Sequence, residues 1–124
     1  MTGTIPTELG GLSAVTKLEL DKNSLSGSIP SQLGLLLSLS RLDLDYNSLR
    51  GTIPSQLGLL TSLTIMQLDT NSLSGKIPSE IGLLSNLDQL WLYVSKKFDS
   101  HSWFVLYACY LHECILPSSS MLLV

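Results

Sequence analysis

At 124 residues the chain has room for one small domain, and 44% apolar residues suffice to fill its core. Only 14% of residues are charged, with both signs interspersed and a net charge of −3. That balance excludes the basic stripe of a nucleic-acid binder and the acidic block of a disordered tail. The opening Met1-Thr2-Gly3-Thr4 has neither a charged leader nor an apolar run, so as written it shows no secretory signal.

The first recognisable unit is Gly3-Thr4-Ile5-Pro6. Its isoleucine points toward a core, and its proline holds the chain extended. The next segment, Thr7-Glu8-Leu9-Gly10, reads as one short helical turn, with Thr7 as its cap and the glycine ending it. Leu12 leads into Leu18-Glu19-Leu20, a short strand with two side chains inward and the alternate ones outward. Asn23 follows three residues later and carries both a donor and an acceptor. The spacing predicts that it satisfies turn backbone of its own coil and the next, as buried backbone requires.

The same text then recurs. Gly-x-Ile-Pro returns at Gly27–Pro30, Gly51–Pro54 and Gly75–Pro78, always 24 residues on. Leu42-Asp43-Leu44, Met66-Gln67-Leu68 and Leu90-Trp91-Leu92 keep register with the first strand, as Asn47 and Asn71 do with Asn23. Ile29, Ile53 and Ile77, the caps Ser31, Ser55 and Ser79, and Leu36, Leu60 and Leu84 follow the same clock. A fixed period of this length means stacked coils, none of which can bury its apolar edge alone. Asn47, in an internal coil, is expected to be buried and bonded to turn backbone.

The pattern Leu-x-x-Leu-x-Leu-x-x-Asn-x-Leu-x-Gly-x-Ile-Pro-x-x-Leu-Gly-x-Leu resembles the plant-type extracellular leucine-rich repeat of receptor-like kinases, receptor-like proteins and polygalacturonase-inhibiting proteins. The resemblance covers residues 3–94, about three-quarters of the chain. It implies an α/β fold: a right-handed solenoid with a parallel β-sheet on the concave side and short 3-10 turns on the convex side. It also implies an extracellular or cell-surface setting for the parent family. The paired-cysteine cap that commonly precedes such arrays is missing, and so is a kinase domain.

After Val94 the composition changes. All nine glycines lie at or before Gly82, while every Cys, His and Phe lies between Phe98 and Cys114. The chain thus divides into an array of about four coils over residues 1–94 and a non-repeat hydrophobic tail over 95–124. Three readings of the tail stay open. It is an atypical cap whose Trp103-Phe104-Val105-Leu106 covers the last coil, or unrelated sequence after a truncated longer array, or a membrane element. The apolar run Trp103–Leu116 contains His112 and Glu113 and falls short of the ~20 residues that a span needs.

Chemistry-bearing groups are sparse. Cys109 and Cys114 with His101 and His112 lack the second ligand pair of a closed zinc site, and free or mutually oxidised thiols are the competing reading. No phosphate loop, nucleophile elbow or His-Glu-x-x-His helix occurs, so neither a catalytic set nor a cofactor is expected. What remains is the outward side of the strands, where each coil adds one residue to a column roughly 4.8 Å from the last. Lys17, Arg41, Ile65 and Gln89 form one column, and Glu19, Asp43, Gln67 and Trp91 the next. Asp21, Asp45, Asp69 and Tyr93 form a third, with Tyr46 one position beyond in register with Lys22.

These columns read either as a solvated polar face or as a binding strip for a basic ligand with Trp91 and Tyr93 as aromatic anchors. The expected partner is a protein, peptide or glycan, bound by a monomer. The alternative is a structural fragment of a longer receptor-like protein with no ligand of its own. Four strands expose only a few hundred Å², below the ~800 Å² per partner of a standard interface.

Overall fold

The computed structural model describes residues 1–92 together with the strands Ala108–Tyr110 and Leu122–Leu123. Four short strands, Lys17–Glu19, Arg41–Asp43, Ile65–Gln67 and Gln89–Trp91, stack in parallel with residues 24 apart directly opposite one another. Each begins one residue before its Leu-x-Leu core, and its second leucine continues the ladder, as Leu20 N–H does to Asp43 C=O at 2.9 Å. The alternate side chains turn inward. Leu42, Leu44 and Met66 are wholly buried, while Leu18 and Leu20 in the first strand-bearing coil are only half-buried. Depth thus comes from having a neighbour on both sides, as stacked coils require.

A second parallel ladder, which the sequence pattern did not reveal, runs through the segment after the asparagine. Thr2–Thr4 pairs with Ser24–Ser26, and Arg50–Gly51 with Ser72–Leu73. Ser48 N–H to Leu25 C=O and Arg50 N–H to Gly27 C=O, both 2.8 Å, link these pairs into one run. Gly27, Gly51 and Gly75 leave it at φ near +80°, where a side chain would be strained. The isoleucine that follows is buried at Ile5, Ile29 and Ile53, and partly buried at Ile77.

The convex side consists of four 3-10 turns, Thr7–Gly11, Ser31–Leu35, Ser55–Leu59 and Ser79–Leu83. Two local expectations are corrected here. Thr7, Ser31, Ser55 and Ser79 are not caps. Proline occupies the cap position in each turn with extended backbone, and no side chain caps it. The proline carbonyl instead accepts the turn bond directly, as in Leu33 N–H to Pro30 C=O at 3.2 Å. Nor do Gly10, Gly34 and Gly58 end the turns. They lie within them, because the next coil's turn passes so close that a Cβ on Gly34 would sit 2.4 Å from the Gln56 carbonyl oxygen.

The asparagines link strand turn to strand turn. Asn47 Nδ2 donates to Leu44 C=O (3.2 Å) and Asp45 C=O (3.0 Å) in its own coil and to Leu20 C=O (2.9 Å) in the preceding one. Its Oδ1 accepts Leu25 N–H at 3.0 Å. Asn71 repeats the arrangement one coil on, with Leu44, Leu68 and Asp69 carbonyls and Leu49 N–H. The sequence reading thus needs two corrections. The side chain reaches back to the preceding coil and not forward, and Asn47 is half-buried, since the turn it serves lies at the margin of the sheet.

Beyond the array, Ala108–Tyr110 pairs antiparallel with Gln89–Trp91, and Leu122–Leu123 pairs with Gly75–Lys76. Tail backbone therefore lies along the last coil. The segment expected to cover that coil, Trp103–Leu106, lies outside the described residues, as do His101, His112 and Cys114.

Asn47→Ala should lower stability by about 1–3 kcal/mol by leaving several backbone groups without partners. Ser48→Ala, one exposed residue away, should change the thermal midpoint little. Gly34→Ala should cost about 1–3 kcal/mol through backbone displacement. Gly11→Ala should be near neutral, since a Cβ there meets nothing within 4 Å. Thermal or denaturant unfolding of the four variants checks both statements.

Candidate binding face

The register of the sheet assembles the first two outward columns as the sequence spacing implied: Lys17 beside Arg41, Ile65 and Gln89, and Glu19 beside Asp43, Gln67 and Trp91. The third column follows from the backbone bonds Lys22 N–H to Asp45 C=O and Tyr46 N–H to Asp69 C=O, which carry the same 24-residue step through Asp21, Asp45 and Asp69. Tyr93, its fourth member, lies outside the described residues. The strands leave the sheet through Lys22, Tyr46 and Thr70, each in the left-handed region at φ 51°, 47° and 51°. That conformation is uncommon for residues with a side chain. The amide of the following asparagine donates to the carbonyls of the two residues just before the left-handed one and holds the chain there.

The face is not uniformly solvated. Lys17, Glu19, Tyr46 and Trp91 are exposed, Asp21, Arg41, Gln67, Asp69 and Gln89 are half-buried, and Asp43 and Asp45 are buried. For the last two, the picture of a freely solvated acidic strip is corrected. Side chains of adjacent coils at strand spacing shield one another, and the Arg41 guanidinium lies across Asp43.

Arg41 is the hub of the first two columns. Its Nη2 donates to Asp43 Oδ2 at 2.8 Å and to Gln67 Oε1 at 2.7 Å, so one guanidinium joins two coils. Its Nε lies 3.1 Å from Glu19 Oε1, close enough for charge attraction, but the N–H is not aimed at that oxygen and makes no hydrogen bond. The bond to Asp43 matters most, because its carboxylate is nearly inaccessible and the bond is charge-assisted. Lys22, 3.8 Å from Asp21 Oδ2 and largely exposed, contributes little.

Asp45 receives no comparable partner. It is 9% exposed, and its Oδ1 is shielded and accepts no hydrogen bond among the described residues. Burial pushes its carboxyl up to about 6, reinforced by the charges of Asp43, Asp69 and Asp21 and opposed by Lys22. The aspartate spacing was legible in the sequence, but the isolation of one member was not.

A shallow trough of about 1050 Å³ on the Gly-x-Ile-Pro side was also missed. Thr4, Ser28, Thr52, Pro30, Pro54 and Gln56 are among its lining, which contains no charged residue. The recurrent small hydroxyl residues beside each Gly-x-Ile-Pro are its only sequence signal.

The Asp45 carboxyl should make stability depend on pH in an unusual direction. With a folded value near 6 against an ordinary 3.8, the folded chain holds a proton between about pH 4 and 6 that the unfolded chain has lost. Its contribution to stability therefore falls as pH rises through that window and stays low above it. Asp45→Asn should gain on the native chain across the same window, reaching about 1–3 kcal/mol at pH 7. Urea unfolding of both chains from pH 4 to 7.5 checks this, and a constant difference across that range would contradict it.

The family model described as Leucine Rich Repeat matches residues 14–36, 38–60 and 62–84, more than half of the chain. No curated protein matches. Among solved structures, the chain is similar to the plant peptide hormone receptor RGFR1 in complex with RGF2, with 43% identity, a TM-score of 0.73 and coverage of 74% of this chain and 15% of that one. It is similar to the Arabidopsis receptor kinase HAESA in complex with the peptide hormone IDA and the co-receptor SERK1, at 41% identity and a TM-score of 0.73, covering 74% of this chain and 16% of that one. A plant ice-binding protein matches at 38% identity and a TM-score of 0.70, covering 73% of this chain and 30% of that one. The chain thus spans about one-sixth or less of the two receptor chains. Three consecutive matched repeats, the in-register parallel ladder and these likenesses establish that the chain belongs to the plant-type leucine-rich-repeat family.

Proposed function

We propose that the chain is a non-enzymatic interaction module whose concave sheet binds a peptide or an extended segment of a protein. The observation that carries this reading is the outward columns. They set Arg41, Gln67, Asp69 and the 36%-exposed Trp91 side by side on a rigid ladder whose inward leucines are committed to the core. Aromatic and arginine side chains are the usual anchors of protein interfaces, and a strand scaffold holds them at low entropic cost.

The similarity to receptors solved with peptide hormones supports the same ligand class. A plant ice-binding protein shares the scaffold, so the coil itself does not choose the ligand. Here the charged and aromatic columns favour a peptide. With four strands the contact area is small, and affinity for an isolated chain should be weak.

A peptide-display screen on the folded chain, followed by binding measurements, tests the reading. Asp45→Ala/Asp69→Ala and Trp91→Ala should each weaken a selected binder by about tenfold, or ~1.4 kcal/mol. The convex pair Gln32→Ala/Gln56→Ala should leave it unchanged, and salt should weaken it as charges are screened over ~8–10 Å. Loss confined to the glutamine pair would put the site on the opposite face. No binder for a folded chain would favour a structural fragment without a ligand of its own.

A further inference from the structure

The two ends of the concave sheet differ. At one, Ala108–Tyr110 pairs antiparallel with Gln89–Trp91, so a coil edge of this sheet accepts an antiparallel strand. At the other, among the described residues, Lys17–Glu19 has a partner on its inner side only, the strand Arg41–Asp43. Thr16 C=O and the N–H groups of Leu20 and Lys22 bond toward the second coil. Backbone groups alternate in direction along a strand, so the N–H and C=O of Lys17 and Glu19 point away from it.

Apolar side chains gather at the same end. Leu9, Leu18 and Leu20 are half-buried and Leu12 is 49% exposed. Their counterparts one coil on, Leu33, Leu42, Leu44 and Leu36, are fully buried. A coil end that stands alone in water needs a polar outer face, and this one lacks it.

An antiparallel pairing with a second copy suits both features. With Leu18 opposite the partner's Leu18, Lys17 of each protomer stands opposite the partner's Glu19. Both backbone bonds are then exchanged at each Lys–Glu position, because the outward-pointing groups face one another. The side chains of Lys17 and Glu19, both exposed on the concave side, meet as ion pairs across the join. A parallel alignment would instead set Lys17 beside Lys17 and Glu19 beside Glu19. The antiparallel arrangement is a rotation of 180° about an axis normal to the sheet. It keeps both concave faces on one side and brings the two apolar coil ends together.

We propose that the chain, in place of the monomer its sequence suggested, pairs with a second copy through this edge as a two-fold antiparallel strand pair centred on Leu18. The pairing is independent of the choice of ligand. Its consequence for the concave face rests on the module reading: two sheets become one, which enlarges a face that falls short of the ~800 Å² per partner of a standard interface. The join is only one coil end wide, so the dimer is weak and depends on concentration.

Sedimentation velocity of the full chain from about 10 μM to 1 mM, the range of a weak dimer, should show a monomer–dimer equilibrium. Lys17→Glu and Glu19→Lys each place like charges opposite one another at both pairs. Either should weaken the dimer about tenfold, with circular dichroism confirming that the variant folds. Mixing the two variants should restore association, since each chain then meets opposite charges at both positions. In the native chain, hydrogen exchange of the Lys17 and Glu19 amides should slow as concentration rises. A monomer at 1 mM, a dimer indifferent to both variants, no recovery on mixing, or amides that stay unprotected would each overturn the pairing. A dimer of this kind without any display-selected binder upholds the pairing and counts against the module. A peptide binder on a strictly monomeric chain does the reverse.

Discussion

A single 24-residue coil has no inside of its own. Its isoleucine, its two strand leucines and its turn leucine all point to one edge, and only another coil laid against that edge removes them from water. The burial gradient makes the constraint visible. Leu18 and Leu20 are half-buried, whereas their counterparts Leu42 and Leu44, with coils on either side, are wholly buried. Hydrophobic contact is non-directional, so it does not by itself choose the register in which coils stack. The asparagine amide does. Asn47 joins three carbonyls and one N–H from two successive coils, and a slip of one residue between the coils would break the two bonds that cross, to Leu20 C=O and from Leu25 N–H.

The same register that satisfies the backbone aligns the outward side chains, whether or not their charges suit one another. Arg41 relieves this for the first two columns by bonding Asp43 and Gln67 across the coil boundary. The aspartate column has no such cation within it, and its central member lies between the other two. The cost falls on Asp45, whose carboxyl is held near 6 by burial and by the carboxylates of Asp43, Asp69 and Asp21. On the convex side the tight turn-to-turn approach at Gly34 and Gly58 leaves the outward columns to vary, while the backbone there admits almost nothing but glycine.

Some of this was legible before any coordinates. The period, the four strands and the column positions as far as Trp91 followed from spacing, because a repeat places equivalent residues at equivalent positions wherever its coils stack, and the parallel order followed from the family resemblance. The role of Asn47 was visible in kind but not in direction. The donors of an amide can be counted in a sequence, but whether they reach the coil before or the coil after depends on the path of the turn. The caps were misread for a related reason. Thr7 and Ser31 are typical capping residues by type, yet a proline already in extended geometry stands immediately before each and takes the cap position itself.

The sequence by itself determined the coil, since the positions of Leu, Ile, Asn, Gly and Pro in one 24-residue period admit only a stack. Tertiary structure alone decided which members of the outward columns meet water. Asp21, Asp45 and Asp69 are the same residue at the same place in three coils, and Asp45 alone of the three is buried. Burial depends on what lies on both sides of a side chain, including Asp43 within its own coil, and a one-dimensional period treats every copy alike. Desolvation and the unpaired oxygen follow from that position in the stack, and they set one of three identical aspartates apart from the other two.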